Sequence, residues 1–213
     1  MKCDKKDLLL YGVTDRTWLD GRDLADVVEQ SILGGVTMVQ LREKDMDPEA
    51  FFEEAKRIQA VCRRHGVPFL IDDDVDLAAR VGADGVHVGQ HDMEAGLVRS
   101  KVGEGMLLGV SAQTVEQALR AQAAGADYLG VGAVFPTGTK TDADSVSYDT
   151  LKAICEAVDI PVVAIGGIGP DNVDKLAGSG ICGVAVVSAL YAQDDPCAAA
   201  QTLAARTKAM VEA

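Results

Sequence analysis

Residues 82–89 read GADGVHVG, and residues 125–132 read GADYLGVG. Both open on glycine, pass through Ala-Asp and enter a short apolar run. Glycine just before a strand is a stop signal for the preceding helix, because it adopts the left-handed C-cap conformation without a steric penalty. The signal recurs at Gly34-Gly35, Gly66, Gly105 and Gly180. Working outward from these stretches, eight apolar runs read as strands, at 8–13, 37–41, 68–71, 85–88, 107–110, 128–131, 162–165 and 183–187. Helical patterns fill the intervals at 23–33, 48–65, 75–81, 93–102, 114–124, 148–158 and 172–177, and a last helix runs from 196 to 212. Short strands with almost no polar interruption fit a parallel sheet covered by helices. Eight alternations in 213 residues predict an α/β fold, a (β/α)8 TIM barrel formed as one domain by residues 1–213. The rival is an open doubly wound sheet, but no G-x-G-x-x-G follows the first strand.

Composition narrows the function. The chain is 48% hydrophobic but only 4% aromatic, which suits close helix-on-sheet packing rather than an aromatic recognition surface. A net charge of −13 argues against nucleic acid and against anionic membranes. Any phosphate ligand must therefore be met by cations clustered against the global trend. Cys3, Cys62, Cys155, Cys182 and Cys197 form no C-x-x-C pair and no metal-ligand spacing, as expected of thiols in a reducing compartment. The start, MKCDKKDLLL, has no signal-peptide run, and no segment approaches a membrane span, so the expectation is a cytoplasmic protein.

In such a barrel the residues that follow each strand share one rim, where active sites lie. Here that rim is polar. It carries Thr14, Asp15 and Arg16, then VQLREK (39–44), then Asp72, Asp73 and Asp74, then HVGQHD (87–92), Ser111, FPTGTK (135–140), Gly166-Gly167 and Ser188. Alternation along a strand points Gln40 and Arg42 one way, with Lys44 if the chain stays extended, and Val39 and Leu41 the other way, toward the helices. Burying Gln and Arg in a strand is costly without a ligand, which favours a binding role over a solvated edge. Asp73 and Asp92 follow successive strands about 4.8 Å apart, so their carboxylates could share a hard cation, and Mg²⁺ takes one or two such ligands. The competing role for Asp73 is a helix cap, although Asp74, directly before Val75, is the better cap candidate. The loop around Lys140 offers N–H and hydroxyl donors to an anion, or is a plain surface loop. AIGGIGPDN (164–172) and VVSAL (186–190) leave strands seven and eight, where these barrels repeatedly bind phosphate, although paired glycines also serve tight packing. Among the histidines, His65 reads as a solvated helix end, His91 as loop and His87 as core. Ser111 has no base beside it in sequence, so it reads as a ligand contact and not a nucleophile.

Taken in order, YGVTDR, VQLREK, DDDVDLA, GVHVGQHD, LGVSAQT, GVGAVFPTGTK, AIGGI and VAVVSAL resemble the thiamine-phosphate synthase family over nearly the whole chain. The resemblance implies a transferase of thiamine biosynthesis acting on two small phosphorylated substrates. It would join 4-amino-2-methyl-5-(diphosphomethyl)pyrimidine to 4-methyl-5-(2-phosphoethyl)thiazole, or its carboxylated form, with Mg²⁺, and release pyrophosphate. It implies that Gln40, Leu41, Arg42, Glu43, Lys44, Asp72, Ser111 and Lys140 hold the pyrimidine diphosphate. Arg42, Lys44, Ser111 and Lys140 would be catalytic, and Asp73 and Asp92 would ligate the metal. Thr137, Gly138, Thr139, Gly167, Val187 and Ser188 would hold the thiazole phosphate. The family usually has asparagine where this chain has Asp72; asparagine donates a hydrogen bond and ionised aspartate does not. Asp72 could stay protonated, bind a second cation, or weaken substrate binding. Rival readings on the same scaffold are a thiazole tautomerase or other isomerase, which needs no diphosphate machinery, and a silent phosphate-ligand sensor. Homo-oligomerisation stays open.

Overall fold

The computed structural model describes residues 3–137 and 145–213. Its strands are β1 (Leu10–Val13), β2 (Met38–Leu41), β3 (Phe69–Asp72), β4 (Gly85–Val88), β5 (Leu107–Ala112), β6 (Tyr128–Val131), β7 (Val162–Ile165) and β8 (Gly183–Val186). Every neighbouring pair is parallel, and β8 returns to β1, so the sheet closes as a TIM barrel in the order of the chain. The helices are α1 (Leu24–Leu33), α2 (Pro48–His65), α3 (Val75–Val81), α4 (Ala95–Val102), α5 (Val115–Ala123), α6 (Tyr148–Ala157), α7 (Ser188–Tyr191) and α8 (Pro196–Val211). Short 3-10 turns at Lys5–Leu8, Arg16–Trp18 and Val173–Leu176 complete the pattern.

The local chemistry explains the boundaries. Asp23, Asp47, Asp74, Glu94, Thr114, Ser147 and Asp195 each accept backbone N–H bonds at a helix start. Pro48 and Pro196 open α2 and α8, where a missing N–H costs nothing. Gly66 and Gly82 close α2 and α3 in the left-handed conformation. For α4, which ends at Val102 where the sequence pattern puts its end, the cap is Gly103 and not Gly105. The first strand begins at Leu10, since the residues before it wind into the first 3-10 turn. The 172–177 segment is a single 3-10 turn, and Ser188 begins an unforeseen one-turn helix.

Strand parity divides the core in two. Val39, Leu41, Phe69, Ile71, Val86, Val88 and Leu129 face outward into the layer between sheet and helices. Leu8, Tyr11, Val13, Met38, Leu70, Leu107, Tyr128, Val163 and Ala185 fill the barrel interior. Each large side chain buried this way contributes about 1.5–3 kcal/mol. The interior filling is apolar at the N-terminal end and turns polar toward the rim, where Gln40 and His87 are also buried.

Candidate active site at the C-terminal rim

Arg42 leaves β2 and stays 9% exposed. Its backbone N–H donates to Thr14 Oγ1 at 3.0 Å, which ties the end of β2 to the end of β1. Its Nε lies 3.5 Å from Asp72 Oδ2 and its Nη1 lies 3.6 Å from Asp15 Oδ2. Both separations balance charge without forming good hydrogen bonds. Nη2 is buried and has no hydrogen-bond partner among the described residues. A guanidinium carries five donors and no acceptor, so only an acceptor could satisfy Nη2.

Beneath Arg42 a line of polar groups crosses the barrel. Gln40 Nε2 donates to Tyr11 Oη at 2.6 Å, and Tyr11 Oη lies 2.9 Å from Tyr128 Oη. Tyr128 Oη is 2.9 Å from His87 Nδ1, and His87 Nε2 is 3.0 Å from Ser111 Oγ. Burial pushes the phenol pKa of Tyr11 and of Tyr128 up, so both remain protonated. Gly109 makes the crossing possible. A Cβ there would fall on the Tyr128 ring and on His87 Nδ1, so only glycine admits the two side chains. Gln90 Nε2 donates to Ser111 O at 2.7 Å, steadying that strand end.

The three consecutive acids have three different situations. Asp72 faces Arg42. Asp74 Oδ1 accepts from Leu77 N–H at 2.8 Å and caps α3. Between them Asp73 is exposed, with φ of +61°. Its N–H donates to His87 O at 2.8 Å, continuing the β3–β4 ladder by one residue. Asp92 is exposed on the next loop, and its Oδ2 accepts from Gly89 N–H at 2.8 Å.

Opposite, the loop after β7 is held by Asn172, whose Nδ2 donates to Gly167 O at 2.8 Å and whose Oδ1 accepts from Gly169 N–H at 2.9 Å. Gly167 has φ of +65°, and a Cβ would strike the carbonyls of Phe135 and Pro136, so the loops after β6 and β7 touch backbone to backbone. Val187 precedes α7 without a side-chain cap, and Ser188 is exposed at its first position.

The family model described as "Thiamine monophosphate synthase" matches residues 10–190. The chain belongs to that family. The thiamine-phosphate synthase of Clostridium tetani is 53% identical over 189 residues, 89% of this chain and 90% of that protein. The thiamine-phosphate synthase of Alkaliphilus oremlandii is 50% identical over 202 residues, 95% of this chain and 97% of that protein. The structure of thiamine phosphate pyrophosphorylase from Pyrococcus furiosus superposes with a TM-score of 0.90 at 35% identity, covering 97% of this chain and 98% of that one. This member of the thiamine monophosphate synthase family is thus a TIM-barrel transferase of thiamine biosynthesis. Among the described residues no helix is long and apolar enough to cross a membrane.

Gln40, Arg42, Asp72, Asp73, Asp92 and Ser111 all stand at or just beyond strand C-termini on one rim. Leu41 is fully buried against the helices, so only its backbone is available to a ligand. Glu43 Oε1 accepts from Arg16 Nε at 2.5 Å, and Arg16 Nη2 also donates to Glu54 at 2.7 Å. Burial pushes the Glu43 carboxyl up, and Arg16 pulls it partly back. Lys44 is exposed. Thr137 is half-buried, whereas Gly138, Thr139 and Lys140 lie outside the described residues. His65, expected to be solvated, pairs with Glu29 Oε1 at 2.8 Å. Ser111, which has no base beside it in sequence, has an imidazole beside it in space. Tyr11 and Tyr128 were not singled out at all. Their parity with Gln40 and Ser111 on neighbouring strands was the available signal.

Proposed function

We propose that the barrel catalyses the family reaction: it condenses 4-amino-2-methyl-5-(diphosphomethyl)pyrimidine with 4-methyl-5-(2-phosphoethyl)thiazole, or its carboxylated form, and releases pyrophosphate. The observation that carries this reading is the buried Arg42 guanidinium, whose Nη2 has no hydrogen-bond partner among the described residues. A buried donor without a partner costs about 1–3 kcal/mol, and an anionic diphosphate removes that cost. An isomerase working on a phosphate monoester at the β7–β8 loops would have no use for it. Lys44 and Lys140 join Arg42 as cations for the leaving group. Gln40 and Ser111 meet the pyrimidine ring, and Gly167, Val187, Ser188 and the 137–139 loop receive the thiazole phosphate.

The donor set suits Mg²⁺. Asp73 and Asp92 are two hard carboxylates on neighbouring loops. Mg²⁺ commonly takes one or two carboxylates and keeps positions for water and phosphate oxygens. When bound it would supply positive charge to the departing diphosphate. The chain's own contribution is orientation and charge. Arg42 holds the diphosphate oxygens, and the barrel interior keeps water from the pyrimidine methylene. The C–O bond breaks with its electron pair going to the diphosphate. The pyrimidine amino group supports the resulting cation, and the thiazole nitrogen lone pair closes the new C–N bond. No protein nucleophile is required.

The test mixes both substrates with Mg²⁺, with and without EDTA, and follows thiamine phosphate and pyrophosphate. Both products should form in equal amounts, and only with the metal. Product insensitive to chelation would refute the role of Asp73 and Asp92. No product, with tight binding of thiazole phosphate, would refute the transferase reading in favour of an isomerase or a sensor.

A further inference from the structure

With the Gln40 amide nitrogen as donor to Tyr11 Oη, the polar line through the barrel has one consistent direction. Gln40 Nε2 donates to Tyr11 Oη. Tyr11 then owns a single O–H, and it is 2.9 Å from Tyr128 Oη, which must accept it. Tyr128 in turn donates to His87 Nδ1. A nitrogen that accepts is unprotonated, so the ring proton sits on Nε2 and points at Ser111 Oγ. The serine oxygen accepts there, and its own O–H is released toward the rim. The reverse direction fails at Tyr11, whose oxygen would face two donors while its hydrogen had no acceptor. A fully buried hydroxyl cannot turn to water to escape that penalty.

Both ends of the line are residues read above as pyrimidine contacts. We propose that Tyr11 and Tyr128 are positioning residues that fix the hydrogen-bond polarity of the site. They hold Gln40 with its amide oxygen outward as an acceptor and Ser111 with its hydroxyl outward as a donor. A ring amine can donate to the Gln40 oxygen and a ring nitrogen can accept from Ser111, whereas an oxo analogue with an N–H offers the inverse pattern. The inference rests on the reading that an aminopyrimidine binds here.

Two features support the assignment. Burial keeps both phenols protonated, so each supplies one hydrogen and the line cannot be broken by ionisation. The rings also pack edge to face, with centroids 5.9 Å apart, and Gly109 and Gly130 leave room only for these side chains beside His87. The same polarity explains why Ser111 is no nucleophile although an imidazole lies beside it: the ring donates to the hydroxyl and cannot take its proton.

Tyr128→Phe and Tyr11→Phe keep the ring packing and remove one hydrogen each. In each variant the KM for the pyrimidine diphosphate should rise about tenfold, the loss of one well-made hydrogen bond. The KM for thiazole phosphate should stay within twofold. In the wild type, ¹⁵N NMR of labelled histidine should report His87 in the Nε2–H form, and Tyr128→Phe should shift it toward the Nδ1–H form. An Nδ1–H wild-type tautomer overturns the proposal, as does an unchanged pyrimidine KM in both variants. The tautomer needs no variant to fold and no turnover. If the wild type makes no thiamine phosphate, the transferase reading falls, and the polarity is decided by the tautomer alone.

Discussion

Replacing Asp72 with asparagine should make this protein bind diphosphate more tightly. Arg42 sits between two carboxylates, 3.5 Å from Asp72 Oδ2 and 3.6 Å from Asp15 Oδ2. At an effective dielectric near 20, opposite charges about 4 Å apart attract by about 4 kcal/mol, so these two acids hold much of the field of one guanidinium. A diphosphate arriving at Nη2 must compete for that field, and it is repelled by the same carboxylates. In a wet, partly screened site the repulsion from one of them is on the order of 1–2 kcal/mol, or roughly tenfold in affinity. Asparagine keeps an oxygen that can face Nε, adds an amide donor and removes the charge. The expected result is a roughly tenfold lower KM for the pyrimidine diphosphate and a similar fall in the Kd of inorganic pyrophosphate, measured by calorimetry. The effect should shrink as salt is raised. Arg42 retains Asp15, so the thermal midpoint should fall by a few degrees at most, about 2–4 °C per kcal/mol for a chain of this size. Unchanged or weaker pyrophosphate binding would refute the electrostatic argument and leave Asp72 with a positive role in holding the substrate.

Other perturbations have outcomes as definite. Gly109→Ala should lower the thermal midpoint by several degrees, because its Cβ would overlap Tyr128 and His87 and overpacking costs about 1–3 kcal/mol; a midpoint unmoved in calorimetry would mean the barrel interior is looser than described. Asp92→Ala should abolish most turnover while costing the fold little more than the one hydrogen bond to Gly89 N–H, about 0.5–1.5 kcal/mol, and loss of the circular dichroism spectrum would show the residue to be structural. Burial pushes the thiols of Cys3, Cys62 and Cys155 up to about 12 and that of Cys182 to about 11. At about pH 8 these four are almost wholly protonated, so a thiolate-selective reagent should leave them unlabelled in the native protein and label all five cysteines in denaturant. Rapid native labelling of Cys62 would contradict its burial.

The barrel was legible because its cues are local. Glycine stops, aspartate caps and apolar runs each act within a few residues, and their repetition implies the closed sheet. The rim was legible for the same reason: once strand ends are placed, Gln40, Arg42, Asp73, Asp92 and Ser111 must share one face. Parity even placed Gln40 inside and Leu41 outside. What stayed hidden depends on contacts across the barrel. Nothing within reach of Ser111 in sequence shows that His87, on the neighbouring strand, stands 3.0 Å away. Nothing near Glu43 shows that Arg16 claims it. Tyr11 and Tyr128 looked like ordinary strand aromatics, and their hydroxyls acquire a role only when strands β1 and β6 face each other through the interior.

The run of three acids shows how one stretch can satisfy local and distant demands together. The chain must leave β3 still bonded to β4 and enter α3 two residues later. Asp73 N–H keeps the ladder by donating to His87 O, and Asp74 already caps α3. The turn between these constraints forces Asp73 to a φ of +61°. Aspartate tolerates that region better than most side chains, yet it is still a cost that a glycine would avoid. Keeping a carboxylate at a place where glycine would be easier argues for a use of the carboxylate itself. Asp74 caps α3 and Asp72 faces Arg42, while Asp73, the strained member of the trio, is exposed on the rim. It sits one residue beyond the strand that packs Asp72 against Arg42, and its backbone is tied to the carbonyl of the histidine that contacts Ser111. Asp73, Arg42 and Ser111 are thereby fixed to one another through two adjacent strands. A shift of β3 against β4 by one residue would scatter all three.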